Sequence, residues 1–239
     1  MIGRKHMRGV FIVFEGIDGS GKTTQINILY KNLLQHNRIK NQPAGSEYVL
    51  LTREPGGTAT SELIRNILLN PANDKLCART EALLYAAARA QHVEERIRPA
   101  LSSGKIVICD RFIDSSLAYQ GYGRGQDLSF LHNLNQLAAG GLKPDLTILL
   151  DLPVGAALKR LNNRQVSGIE KDRLESEAVS FYERVREGYL KIAGTGIDNN
   201  SAGSGGYLVV NADQELDKVS DQIIDGVGNC LPKLAVQFR

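Results

Sequence analysis

Cysteine is scarce and scattered. Cys77, Cys109 and Cys230 are three, odd in number, far apart and never arranged as C-x-x-C. That argues against a disulfide framework or a zinc site and suits reduced thiols in a cytoplasmic setting. Cys109, inside an apolar run, reads as a small core residue rather than a nucleophile. Long apolar runs are missing as well: Val10 to Phe14 is far below the ~20 residues of a bilayer-spanning helix, so no membrane partner is expected. Charge of one sign does not accumulate. The 29 Lys and Arg exceed the 26 Asp and Glu by only 3, and no basic stripe marks a nucleic-acid partner. The first eight residues, MIGRKHMR, are basic but no apolar stretch of about 7–15 residues follows, so they read as an N-terminal extension rather than a secretory signal. With no internal repeat and no second core, residues 1–239 are expected to form a single domain.

What is present is alternation. Val10 to Phe14 (VFIVF) is continuously apolar, as in a strand buried on both faces of a parallel sheet. Similar runs recur at Tyr48 to Leu51, Ile106 to Cys109, Leu146 to Leu150 and Tyr207 to Val210. After the first of them, Ile26, Leu29, Tyr30, Leu33 and Leu34 fall on one helical face. The expected class is α/β, with a parallel sheet of about five strands between helical layers. Thr80 is a plausible N-cap for a helix that Pro99 should kink or shorten and that ends before Gly104. Asp127 should cap a helix that Gly140-Gly141 ends. The Gly-, Ser- and Asn-rich stretch from Gly194 to Gly206 reads as a flexible surface loop.

Gly16-Ile17-Asp18-Gly19-Ser20-Gly21-Lys22-Thr23 fits G-x-x-x-x-G-K-S/T, directly after a buried strand and before an amphipathic helix, the context this phosphate-binding loop requires. The glycines let backbone N–H groups surround phosphate oxygens, Lys22 reaches the β/γ-phosphates, and Thr23 offers a hydroxyl to Mg²⁺. The fold is therefore expected to be of the P-loop NTPase type, and the guanine-reading N-K-x-D is absent. Two apolar runs end in an aspartate suited to the metal, Asp110 and Asp151. Asp110 is favoured because Arg111 follows it, although either could simply cap a turn.

An acceptor that itself carries a phosphate needs its own cations. Arg53, in Thr52-Arg53-Glu54-Pro55-Gly56-Gly57-Thr58, and Arg111 both follow strands at the sheet edge where ligands of open α/β sheets bind, so the two could clamp one phosphate. For either arginine alone a surface salt bridge is the competing reading.

Four ordered segments resemble bacterial thymidylate kinases: TREPGGT at 52–58, TEALLYAAARAQHVEE at 80–95, DRFIDSSLAYQGYGRG at 110–125 and DRLESE at 172–177. The likeness runs from about residue 9 to 193 and more weakly beyond. It implies ATP as phosphate donor, dTMP as acceptor, a homodimer and a mobile lid over about 160–177. By position, Arg53 and Arg111 match arginines on the dTMP phosphate, and Asp18 the carboxylate near the sugar 3′-hydroxyl. Tyr85 and Arg89, at i and i+4, match residues that stack on thymine and bond its carbonyl edge. Ser116 matches a small polar site facing the base, and Tyr119 the ring beneath the sugar. The nucleotide loop extends through Thr24, and Arg160 matches an arginine beside adenine. Gly19 and Ser20 stand where one branch of the family has arginine in the loop, so Arg164 and Arg173 of the lid are the candidates for the transition-state cation.

The lid segment Gln165-Val166-Ser167-Gly168 and the long 194–206 loop depart from the family pattern. A nucleoside kinase would have no acceptor phosphate for Arg53 and Arg111 to clamp. A non-catalytic ATP-binding module would bind nucleotide without releasing ADP in response to dTMP.

Overall fold

The computed structural model describes residues 8–35, 48–166, 173–195 and 206–231; the side chains at 35, 164–166 and 195 lie outside that description. Residues 1–7 of the N-terminal extension, 167–172 of the expected lid and 196–205 of the expected loop lie outside it too. Gly194 belongs to a helix and Gly206 opens a strand.

Five strands form one all-parallel sheet in the order β2-β3-β1-β4-β5. They are β1 (Val10–Glu15), β2 (Val49–Arg53), β3 (Ile106–Asp110), β4 (Leu146–Asp151) and β5 (Gly206–Asn211). β1 is central and buried throughout, which is why its sequence does not alternate. Each strand occurs where an apolar run predicts it, but the first four extend one or two residues further, into Glu15, Arg53, Asp110 and Asp151. Ladder pairing is made by backbone and tolerates a charged side chain at a strand end: Arg53 registers with Asp110, and Asp151 with Asn211. The carboxyl edge of the sheet is therefore a row of charged residues.

α1 (Lys22–Gln35) buries Ile26, Leu29 and Leu33 against the sheet, while Leu34 stays partly exposed. Full burial of a leucine stabilises by about 1.5–3 kcal/mol, so this stripe anchors the helix that carries Lys22. α2 (Ala59–Leu69) begins where the Thr58 hydroxyl accepts the Ser61 N–H, 3.1 Å away. α3 (Ala78–His92) starts two residues before the expected cap. Cys77 is the N-cap, its carbonyl accepting the Glu81 N–H at 3.0 Å, and Thr80 lies inside the first turn. α3 ends at His92, short of Pro99, in keeping with the expected shortening, although the chain stays helical through the proline. A wider π-helical stretch, Val93–Ile97, leads into α4 (Arg98–Ser102), with the Arg98 N–H reaching Val93 O. The missing proline N–H thus falls where the hydrogen-bond ladder is already shifted. After β3 come α5 (Ile113–Ser116), a π-helical turn Leu117–Gly123 and α6 (Leu128–Ala139). Asp127 caps α6 through Phe130 N, and Gly140 ends it at φ 54°. α7 (Val154–Val166), α8 (Val179–Thr195) and α9 (Leu216–Cys230) complete the layers.

The core has two main parts. One holds Phe14, Leu29, Leu33, Tyr182, Val185 and Val227; the other holds Phe11, Val13, Val93, Ile97, Val107 and Cys109. Cys109 is the core residue its sequence context suggests, and burial raises its thiol well above the ordinary value. Among the described residues no helix is long and apolar enough to cross a membrane.

Candidate active site

β1 ends at Glu15, and Gly16 to Gly21 turn the chain into α1. Gly16, Gly19 and Gly21 have φ of 138°, 81° and 94°. Two of these positions also lack room for a side chain, since a Cβ would lie 2.6 Å from Leu150 O at Gly16 and 2.7 Å from Ala157 O at Gly19. Lys22 is buried, with Nζ donating to Gly16 O and Ile17 O at 3.0 Å each. Burial, then the neighbouring Arg111 charge, pull its pKa down to about 8 against the attraction of Asp110 and Asp18. Asp18, Gly19, Ser20, Gly21, Lys22, Thr23 and Thr24 line an open cleft together with Arg53, Asp110 and Arg160. Arg160 donates to Gly19 O at 3.4 Å and to Ala212 O at 3.2 Å, so it braces the loop from α7.

Asp110, at the end of β3, faces this cleft. Its Oδ2 lies 3.5 Å from the Thr23 hydroxyl, while its Oδ1 is buried without a hydrogen-bond partner among the described residues. A buried carboxylate oxygen left unsatisfied costs about 1–3 kcal/mol, so a cation or its water shell would fit here. The alternative, Asp151, is held in both oxygens by Arg186 at 2.7 and 2.9 Å.

Arg111 follows Asp110 with φ 73°, the one non-glycine among the described residues in the left-handed region. Its guanidinium bonds Asp18 (2.5 Å), Gly16 O (3.0 Å), Tyr189 OH (3.1 Å), Ser115 Oγ (3.2 Å) and Tyr119 OH (3.3 Å). Tyr119 also donates to Asp18 at 2.7 Å. Burial alone would raise Asp18, but the charges of Arg111 and Lys22 and the Tyr119 hydrogen bond outweigh it and hold the carboxyl at about 2.

Beyond Arg111 a second cavity opens, lined by Tyr85, Arg89, Ser116, Tyr119, Gln120 and Leu174 among others. Asp18, Glu54, Arg65 and Arg111 line both the cavity and the loop cleft, so the two meet at these side chains. Arg89 is buried on α3. Its Nε donates to Glu54 (2.8 Å), one terminal nitrogen to Ser116 Oγ (3.0 Å) and Asn135 Oδ1, and the other to Phe112 O (2.9 Å). Glu54 also accepts from His92 Nδ1 at 3.0 Å, leaving His92 Nε2 to the Thr52 hydroxyl at 2.6 Å. Every member of this chain is buried or half-buried, which fixes the arginine before any ligand arrives.

Not every expected residue joins the site in the same way. Arg53 is half exposed, with Nη2 3.0 Å from Glu62, and reaches the loop cleft but not the cavity. Arg173 lines neither the cleft nor the cavity. Its guanidinium binds Glu81 at 2.5 Å and Leu68 O at 2.8 Å, because Glu81 is fully buried and requires cations, Arg124 being the other. The Arg164 side chain lies outside the described residues. Sequence reading missed Glu15, Glu54, Arg65, Ser115, Gln120 and Tyr189. Glu54 lies inside the 52–58 segment and Ser115 and Gln120 inside the 110–125 segment, so these three carried a signal, whereas Glu15, Arg65 and Tyr189 lie outside the four segments.

Known proteins match this architecture. A family model described as Thymidylate kinase matches residues 14–223. A thymidylate kinase of Desulforudis audaxviator is 54% identical over 209 residues, covering 87% of this chain and 86% of that protein. One of Lactobacillus helveticus is 45% identical over 228 residues, covering 95% and 100%. The crystal structure of a thymidylate kinase from Ehrlichia chaffeensis superposes with a TM-score of 0.69 at 34% identity, covering 92% of this chain and 99% of that one. The chain belongs to the thymidylate kinase family of phosphotransferases.

Proposed function

We propose that the loop cleft holds ATP, that the cavity holds dTMP, and that the protein transfers the γ-phosphate in line to give dTDP. The observation that carries this reading is the junction of the two spaces at Asp18 and Arg111. A nucleoside kinase has no acceptor phosphate for an arginine there to hold. Lys22 and the loop N–H groups hold the donor phosphates. Arg111, with Arg53 at the rim, holds the acceptor phosphate, whose oxygen is ionised near neutral pH, so no general base is needed. Arg89 and Ser116 present donors to the base edge, Tyr85 a stacking face, and Tyr119 a wall beneath the sugar. Mg²⁺ would be held by Thr23 and Asp110, where it supplies positive charge to the donor phosphates. Since Arg173 already serves Glu81, the transferring cation is assigned to Arg164; Arg164→Ala should lower kcat and Arg173→Ala chiefly stability.

A second copy of the chain is the proposed partner. Leu63 and Ile67 of α2, Leu83 of α3, and Phe130 and Leu137 of α6 are exposed on neighbouring helices, Leu137 at 82%, an apolar face suited to a homodimer. Sedimentation should give a dimer that Leu137→Glu weakens. A cytoplasmic setting accords with the free thiols of Cys77, Cys109 and Cys230. The decisive test is ADP release against a panel of nucleoside monophosphates. dTMP should dominate, and preference for AMP, CMP or GMP would overturn the assignment.

A further inference from the structure

Glu15 is a carboxylate with no place in the reaction just described. It is 1% exposed at the end of β1, one residue before the phosphate loop. Burial raises its pKa, opposed by hydrogen bonds from its neighbours and by the Arg111 charge. Both of its oxygens are used. Oε1 accepts the backbone N–H of Phe112 at 2.8 Å and of Ser115 at 3.3 Å. Oε2 accepts the hydroxyl of Ser115 at 2.6 Å and of Tyr189 at 3.0 Å.

All four donors belong to the surroundings of Arg111. The two amides follow it in the chain, where its left-handed backbone, a conformation costing about 1–2 kcal/mol in an L-residue, needs an external hold. The two hydroxyls are the oxygens that accept from Arg111 Nη1, at 3.2 and 3.1 Å. A hydroxyl has one proton and two lone pairs. The two oxygens also lie 2.8 Å from each other, so one proton bridges the pair while the other goes to Glu15, and the lone pairs left on both oxygens face the guanidinium. We infer that Glu15 is a positioning residue for phosphoryl transfer: through Ser115 and Tyr189 it sets the polarity and place of the cage that aims Arg111 at the acceptor phosphate. A neutral glutamine of the same shape would donate from its amide to one or both hydroxyls, whose protons would then turn toward Arg111.

The inference rests on Arg111 serving the acceptor, so the experiment is a double-mutant cycle of Glu15→Gln and Arg111→Lys, with kcat and both KM values measured alongside thermal unfolding. Glu15→Gln should lower kcat/KM for dTMP about tenfold or more, the scale of losing a preorganised electrostatic contact, and leave the KM for ATP within about twofold. In the Arg111→Lys background the same change should cost less than about twofold. Equal losses in both backgrounds, or no loss in the wild-type background, would overturn the positioning role. Should Arg111→Lys alone leave dTMP turnover intact, the acceptor-site reading itself fails, an outcome visible from one arm of the cycle. Tyr189→Phe removes one of the two relays and leaves the carboxylate in place, so it keeps the test available if Glu15→Gln does not fold. A loss of about threefold that vanishes beside Arg111→Lys is expected, and an additive loss would count against the inference.

Discussion

The proposed donor and acceptor halves of the site are held by different chemistry. Around the phosphate loop the holding groups are mostly backbone: glycines that no side chain could replace, carbonyls of Gly16 and Ile17 on Lys22, and Gly19 O on Arg160. In the acceptor half, side chains hold side chains, as Glu54 holds Arg89 and Asp18 holds Arg111. A backbone cradle suits any nucleoside triphosphate and leaves discrimination to what lies next to it. A buried side-chain network costs more when one member is lost, and it fixes the geometry that distinguishes one base and sugar from another.

The largest effect should fall on the donor half. Lys22→Ala should leave a folded protein, because Gly16 O keeps Arg111 as a donor, yet should reduce dTMP-dependent ADP formation by about 10³-fold, the upper range for removing one preorganised electrostatic contact. Turnover near wild type, read in a coupled assay, would break the donor assignment.

The next test sets two arginines against each other on stability. Arg89→Ala leaves Glu54 buried with only His92, and breaking such a pair costs about 3–5 kcal/mol. Arg53→Ala removes an exposed pair with Glu62 and should cost no more than about 1 kcal/mol. Denaturant midpoints decide it; equal losses would mean that the acceptor half is not the more tightly built. Arg89→Ala should also raise the KM for dTMP and leave that for ATP nearly unchanged.

This contrast also explains what the sequence made legible. The donor loop is contiguous, and hydrogen bonding by backbone depends on local turn residues, so eight letters disclosed it. All five strands were legible because burial on both faces leaves an apolar run, and so were the aspartates Asp110 and Asp151 that end two of them. That Glu15 and Arg53 still pair in the sheet was not, because ladder pairing is independent of side-chain type. The acceptor half draws on β1, the β2–α2 turn, α3, the 111–119 segment and α8. No local pattern joins Glu15 to Ser115, a hundred residues apart in the chain, or His92 to Glu54; only resemblance to a family brought Arg89 and Tyr119 forward. The Thr80 expectation failed because capping was judged from a single residue, whereas the helix already starts at Ala78; the α-helix does stop short of Pro99, at His92, with a π-helical stretch between.

Selectivity sharpens the comparison within the acceptor half. Tyr119 is almost wholly buried, packs edge-on to Phe181 and Tyr189, and bonds Asp18 through its hydroxyl. Tyr119→Ala should lower kcat/KM for dTMP while narrowing its preference over UMP about tenfold, since a ribose hydroxyl no longer meets a dry ring. Tyr119→Phe should keep that preference. Unchanged dTMP:dUMP:UMP ratios in the alanine variant would remove Tyr119 from the sugar wall.

The smallest effect concerns a carboxylate that neither half uses. Burial and the charge of Glu15 push Asp114 up from an ordinary 3.8 to about 7, against the hydrogen bond that the Tyr207 hydroxyl donates to it at 2.7 Å. Between those values the folded protein holds a proton that the unfolded chain releases, so stability falls as pH rises through the window and is lowest above 7. Asp18 behaves in the opposite sense. With its carboxyl held at about 2 in the folded state, it stabilises above 3.8 and loses that contribution only as pH falls toward 2, outside the Asp114 window on the acid side. Asp114→Asn keeps an oxygen for Tyr207 and removes the titration. Its gain at pH 8 should be on the order of 1 kcal/mol, about 2–4 °C in Tm for a chain of this size, and should shrink toward pH 5. Melting curves of both proteins at pH 5, 6, 7 and 8 test this. Parallel Tm profiles would show that Asp114 does not titrate in this range, whereas converging profiles, with kcat/KM for dTMP unchanged, would place the titration outside the transfer machinery.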